Sequence, residues 1–340
     1  MKTFSSRKLL FFGLAATGVA AALWRWSARM DLQDKVVFIT GGSHGLGLAL
    51  AREFAKHKSR LVLCARSEEE LQKAKEDVVA GYGAEVITVR CDISDRAQVD
   101  RAVGLAEEHF GRIDVLINNA GIIHVGSVDA MTIEDFESAM NVMFWGTVYA
   151  TTAVLPGMRA RQIGRIVNIT SVGAKVSIPH LLPYSCAKFA AVAFSEGLRA
   201  ELHSTSVKVV TIAPGLMRTG SYLNAVFKGA AEGEAAWFGV SSSLPVLSIS
   251  AAGAARQIVS ATRNGEAERI LSVPAKLLVW FHGLFPGWTT EILGLVNRTL
   301  PRGRGGAETG AESRVLRQGV PFAVTKLGRD AAKDLLQPMA

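Results

Sequence analysis

Apolar runs of strand length alternate with stretches of helical spacing over most of the chain. KVVFIT (35–40) is a continuous apolar run, LGLALAREFAKH (46–57) places its apolar residues at helical intervals, and RLVLC (60–64) is apolar again. The next helix is marked by its start. Ser67 precedes three glutamates, with Glu70 where a capping box requires it and negative charge in the first turn, where the helix dipole favours it. EVITVRC (85–91), DVLINN (114–119), RIVNIT (165–170) and KVVTIAP (208–214) read as further strands and ERILSV (268–273) as a last one, with helices near 96–110, 132–156 and 183–203. Strands apolar on both faces, separated by helices, predict an α/β fold of three layers: a doubly wound parallel sheet covered on both sides.

Both ends of the chain depart from this rhythm. Residues 9–24, LLFFGLAATGVAAALW, carry no charge, with Lys2, Arg7 and Lys8 before them and Arg25 and Arg29 after. The run is slightly short for a bilayer span, although Trp24 and Trp26 suit the headgroup belt. Residues 1–30 are read as a membrane anchor, with a cleaved signal peptide and an interfacial helix as the other readings. Positive charge on both sides leaves orientation open. Residues 274–301 are rich in Leu, Trp and Phe and interrupted by Gly283, Pro286 and Gly287. An apolar extension of this kind is expected to face a membrane, a second copy or the core. Residues 302–340 read as a flexible tail, Gly- and Arg-rich at first, with a short amphipathic helix near 322–336.

Composition narrows the classes. The 340 residues are 49% hydrophobic with a net charge of +8, enough for one domain of about 240–270 residues plus its extensions. The basic residues are scattered and no reader motif accompanies them, so nucleic acid is not an expected partner. Anionic lipid suits the modest positive excess better. Cys64, Cys91 and Cys186 are too few and too far apart for a disulfide framework or a metal site, and they suit a reducing compartment.

Three short motifs carry the chemistry. Thr40-Gly41-Gly42-Ser43-His44-Gly45-Leu46-Gly47 joins the first strand to the first helix, where unpaired N–H groups and the positive dipole end favour a phosphate. NNAG (118–121) closes the fourth strand. Tyr184 and Lys188 in YSCAK lie four apart, on one face of a helix. An ammonium beside a phenol stabilises the phenolate. Bringing a tyrosine from about 10 to neutrality asks for about 4 kcal/mol, which the lysine would share with any positive charge bound beside it.

In this order and spacing the motifs resemble the short-chain dehydrogenase/reductase family over roughly residues 33–273. The resemblance implies a Rossmann-type sheet and hydride transfer with NAD(H) or NADP(H). It implies that Gly41, Ser43, His44, Gly45, Leu46 and Gly47 form the phosphate turn. Asp92 would take the adenine amino group, and Asn118, Ala120 and Gly121 would line the groove. Pro214 and Gly215 match the segment after the sixth strand, where Thr219 would hold the carboxamide. By the same resemblance Ser171 fixes the substrate oxygen, Tyr184 exchanges the proton, Lys188 also binds the nicotinamide ribose, and Asn141 holds a relay water.

An acid at the end of the second strand would select NAD(H); here the chain reads Ala65-Arg66, and His44 adds a second basic group, so NADP(H) is the expected cofactor, with NAD(H) as the other. The insertion 219–245, with Tyr222, Leu223, Val226, Phe227, Trp237 and Phe238, reads as a mobile apolar lid, with a plain packing helix as the other reading, and His180 as a wall of the substrate site. Together these predict an oxidoreductase acting on a lipophilic carbonyl–alcohol pair (ketoacyl, steroid or retinoid-like). It would be anchored with its catalytic domain on a cytoplasmic, NADPH-containing side, and the long helices would offer a homodimer surface. The contrasting readings are a dinucleotide sensor without turnover and a membrane scaffold. The presence of Asn141, Ser171, Tyr184 and Lys188 together disfavours the sensor.

Overall fold

The computed structural model describes residues 29–303, 306–310, 312–313 and 322–338, so the expected N-terminal anchor lies outside the described residues. Seven parallel strands form the central sheet: β1 (Val36–Thr40), β2 (Arg60–Ala65), β3 (Val86–Arg90), β4 (Val115–Asn118), β6 (Gly164–Ile169), β7 (Val207–Pro214) and β11 (Glu268–Leu271), in the order β11-β7-β6-β4-β1-β2-β3, while the short strands β5 (His124–Val125), β8 (Leu216–Arg218) and β10 (Ser248–Ser250) lie outside it. From β1 the chain winds outward through β2 and β3, then returns to build the other half from β4. The strand order therefore reverses between β1 and β4, and a crevice opens beyond their carboxyl ends.

Alternation along the strands sends side chains to both faces. Val37 and Ile39 join one core with Leu48, Leu50 and Phe54 of α1 (Gly45–Lys56) and with Ile258 of α8 (Ala251–Asn264). Val36 and Phe38 join the opposite core with Val99 of α3 (Arg96–Phe110) and Val154 of α5 (Gly146–Ala160). The helix α2 (Glu68–Tyr82) starts as its sequence announces, Ser67 accepting from the Glu70 N–H, but the reciprocal half of the capping box is replaced: the Glu70 carboxylate accepts from the Ser43 hydroxyl at 3.1 Å. The single helix expected over 132–156 is divided into α4 (Ile133–Met140), a π-helical turn (Asn141–Trp145) and α5. Such wide turns re-aim the side chains around them.

The expected lid is a packed unit. The 219–245 stretch holds a 3₁₀ turn (Ser221–Asn224), β9 (Val226–Lys228) and α7 (Ala231–Ser243). Tyr222, Phe227 and Phe238 are buried with Val125 and Leu181 in a satellite core. The apolar extension is a helical hairpin, α9 (Val273–Leu284) and α10 (Pro286–Asn297), broken at Phe285 ahead of Pro286. The tail is more ordered than its composition suggests. β12 (Ala307–Thr309) pairs antiparallel with β9, inside the stretch expected to be loop, and α11 (Phe322–Asp334) is the predicted final helix. No helix among the described residues is long and apolar enough to cross a membrane.

Candidate functional site

The glycine turn sits at the mouth of the crevice, between β1 and α1. Gly41 and Gly45 have φ of +62° and +58°, backbone that side chains resist. A Cβ on Gly47 would run into the Gly41 carbonyl, so the turn closes only without one. Two residues missed by the sequence reading hold it in place. Thr40 Oγ1 accepts from the N–H groups of Asn119 and Ala120 at 2.9 and 3.0 Å, and Asn119 Nδ2 donates to the Thr40 and Gly41 carbonyls, both at 3.0 Å. The second Asn of NNAG was the available signal. Leu46 is buried beside the turn. A bare backbone cradle at a helix N-terminus, at the switch point of a parallel sheet, fits the pyrophosphate of a dinucleotide.

Asn118, expected along the groove, turns away from it. Its amide donates to Asn168 Oδ1 at 2.8 Å and Thr151 Oγ1 at 3.0 Å inside the sheet–helix core, and Asn168 continues the network to Ser195. Alternation explains this: Asn118 ends the strand pointing to the helix side, leaving Ala120 and Gly121 at the groove. Asp92 also has local duties. Its Oδ1 accepts from the Ser94 N–H and hydroxyl at 2.9 and 2.7 Å, so it caps a turn, whatever else it binds.

The outer end of the groove is charged. Ser43 is buried on Glu70, whose carboxylate lies 3.7 Å from His44 Nε2, and Arg66 is exposed nearby. Burial holds the His44 imidazole below its ordinary pKa, with Arg66 adding to that and Glu70 opposing it. Glu70 is the residue that the reading of this end lacked.

The inner end is buried. Ser171 follows β6 and accepts from the Gly173 N–H at 3.0 Å, which starts a 3₁₀ turn and aims its hydroxyl at Tyr184 on α6 (Leu182–Glu201). Lys188, 5% exposed, lies one helical turn along and donates to the Ile169 carbonyl at 2.8 Å, with its Nζ 5.9 Å from the Tyr184 ring centre. Burial pulls the Lys188 ammonium down to about 8. Burial likewise pushes the Tyr184 phenol up, with the Ser171 hydrogen bond working against it. Gly121 borders Lys188, a Cβ there coming 3.7 Å from Nζ. Asn141 opens the π turn with its carbonyl accepting the Gly146 N–H, and the residue is exposed. Thr170 and Ser185, the chain neighbours of Ser171 and Tyr184, are buried. Pro214 ends β7, Gly215 follows it beside Ser272, and Thr219 is buried with its hydroxyl accepting from the Ser221 N–H at 3.3 Å.

His180 lies on the segment joining Ser171 to Tyr184. Its Nδ1 is 2.6 Å from Glu234 Oε1, and Trp237 Nε1 donates to the other oxygen at 2.6 Å. This buried pair fastens α7 to the segment, which explains why the expected lid packs. A cavity of about 850 Å³ opens on the far side of the same segment, walled by Val176, Ile178, His180, Leu182, Phe189 and Leu293. Ser171, Tyr184 and Lys188 do not line it; Thr290, Leu293 and Asn297 of α10 do.

Comparison with known proteins agrees with this architecture. The family described as short chain dehydrogenase matches residues 35–226. Dehydrogenase/reductase SDR family member 7B of Bos taurus is 33% identical over 76% of this chain and 80% of its own length. A dehydrogenase/reductase SDR family protein 7-like of Anopheles gambiae is 40% identical over 57% of this chain, and the match spans 63% of that relative, just under two thirds. A short-chain dehydrogenase from Streptomyces avermitilis superposes with a TM-score of 0.68 at 28% identity, over 79% of this chain and all of its own (100%). The L-sorbose reductase of Gluconobacter frateurii, solved with NADPH and L-sorbose, does so with a TM-score of 0.64 at 26% identity, over 72% and 97% of the two chains.

Proposed function

The chain belongs to the short-chain dehydrogenase family of oxidoreductases, and we propose that it interconverts a lipophilic carbonyl and its alcohol with NADP(H). The observation that carries this reading is the convergence of Ser171, Tyr184 and Lys188 at the buried end of a groove that begins at the glycine turn. A dinucleotide held on the turn would supply hydride to, or accept it from, the substrate carbon. Ser171 holds the substrate oxygen, and Tyr184 gives that oxygen a proton in reduction or takes one in oxidation. Lys188 keeps positive charge under the phenol and would bind a ribose hydroxyl of the dinucleotide, while Asn141 at the π turn would hold the relay water. Gly41, Gly45, Leu46, Gly47, Ala120 and Gly121 would offer backbone to the dinucleotide, Thr219 would hold its carboxamide, and Pro214–Gly215 would shape that end.

Arg66 and His44 support NADP(H), because a guanidinium fork suits a phosphate dianion. Glu70 tempers that preference from across the same site. The lipophilic substrate is supported by the hairpin and the cavity behind it. Trp280, Leu284 and Trp288 are 63%, 74% and 72% exposed. Between residues 273 and 303 they are accompanied by Lys276, Arg298 and Arg302 against the single acid Glu291. An apolar patch with a positive fringe suits an anionic bilayer. A membrane-held protein with its catalytic domain on the reducing, NADPH-containing side follows, with dimerisation through the long helices as a further part of the reading. The test is NADPH oxidation by the whole protein in vesicles, with long-chain, steroid and small polar ketones in parallel. Turnover of apolar ketones is expected, and activity confined to small polar carbonyls contradicts the substrate reading.

A further inference from the structure

We propose that the carboxy-terminal segment Asp334–Gln337 is an internal competitor for the dinucleotide, resting on the phosphate turn and displaced when the cofactor enters. This rests on the dinucleotide reading above and adds a regulatory element that none of the motifs contains.

The first N–H groups of a helix have no partner within it, and at this turn they form the anion cradle. One of them is already engaged: the Gly45 N–H donates to the Leu335 carbonyl at 2.9 Å. A carbonyl oxygen is a neutral substitute for a phosphate oxygen. Gln337 then bridges the groove. Its Nε2 donates to the Thr219 carbonyl at 2.8 Å, and its Oε1 accepts from Asn224. A Cβ built on Gly45 would come 2.7 Å from the same Nε2, so the amide lies directly on the turn. One side chain thus spans from the phosphate turn to the residue expected at the carboxamide.

The segment is fastened at three further points. Ala332 is fully buried against Gly220, where a Cβ would collide with it. Leu335 is buried in the same core as Leu46 of the turn. Arg52 on α1 donates to the Asp334 carboxylate at 3.0 Å and to its carbonyl at 2.7 Å. A diphosphate carries formal charge where the Leu335 carbonyl has only a dipole, so the cofactor wins the cradle at sufficient concentration. Its apparent affinity is lowered by the fraction of molecules in which the segment is seated.

The test uses the full-length protein and NADPH. Affinity is measured by calorimetry for the wild type, Gln337→Ala and Asp334→Ala, with melting curves to show that each variant is folded. Amide exchange over 326–338 is followed in the wild type with and without NADPH. Asp334 is largely exposed, so its replacement loosens the segment without opening the core. Tighter NADPH binding in both variants, by about tenfold, and faster exchange at 335–337 on saturation are expected. Unchanged or weaker binding in folded variants, or slower exchange with NADPH, overturns the proposal, since the segment would then be part of the bound site. If neither the wild type nor the variants bind NADPH or NADH, the dinucleotide reading fails and this one with it.

Discussion

The two ends of the groove are built differently. At the inner end Lys188 is almost wholly buried and tied to a backbone carbonyl, Tyr184 is partly buried beside it, and Ser171 is aimed by its own 3₁₀ turn. At the outer end His44 and Glu70 are each about one third exposed, and Arg66 stands in solvent. A buried group has one arrangement, because any other leaves a polar atom without a partner. Exposed charges have several arrangements at similar energy and decide preference rather than reaction. On the proposed reading the inner end fixes the chemistry, and the outer end selects the cofactor.

Tyr184→Phe strikes the inner end hardest. Ketone reduction by NADPH should fall about 10³-fold while NADPH affinity stays within about twofold, as steady-state rates and calorimetry would show. Loss of both together would mean that the two ends are not separable.

The buried lysine gives a second, smaller effect. Its pKa is about 8, below the 10.5 of an unhindered lysine, so the ammonium is lost as pH rises through about 8. Reduction should hold steady below that and fall about tenfold per unit above it, and Lys188→Met should lack this limb. The sign for stability is opposite. Folding disfavours the charged lysine, so its penalty is full below about 8 and fades between there and 10.5. A rate that climbs through pH 8 to 10 contradicts the assignment.

The outer end should respond more gently. Glu70→Gln removes the negative charge facing His44 and Ser43, and the NADPH-to-NADH ratio of kcat/KM should rise about tenfold, equivalent to about 1.4 kcal/mol. An unchanged ratio would place the selecting charges elsewhere.

Legibility in the sequence follows the same division. The seven strands and their helices were readable because buried parallel strands must be apolar on both faces, and β1 shows this in Val36–Thr40. Ser171, Tyr184 and Lys188 were readable because strand ends and helix spacing bring them together. Asn118 was misjudged, since a motif gives a residue's position and not the face on which its amide falls. Glu70 was taken for half of a capping box, because a local pattern cannot tell that a carboxylate will reach across to the turn. The aromatic residues of 219–245 looked like a lid until His180 and Glu234, 54 positions apart, proved to be paired. Gln337 left no signal at all. Its contact with Thr219 spans 118 positions and has no pattern of its own.

The central claim is that this groove passes hydride between a nicotinamide and a carbonyl carbon. NADPH deuterated at either face of the nicotinamide C4, mixed with an apolar ketone and the wild-type protein, tests it directly through mass spectrometry of the product alcohol. The account predicts deuterium on the carbinol carbon from one face only, and almost none with Tyr184→Phe. Binding of NADPH without label in the product from either face would contradict it.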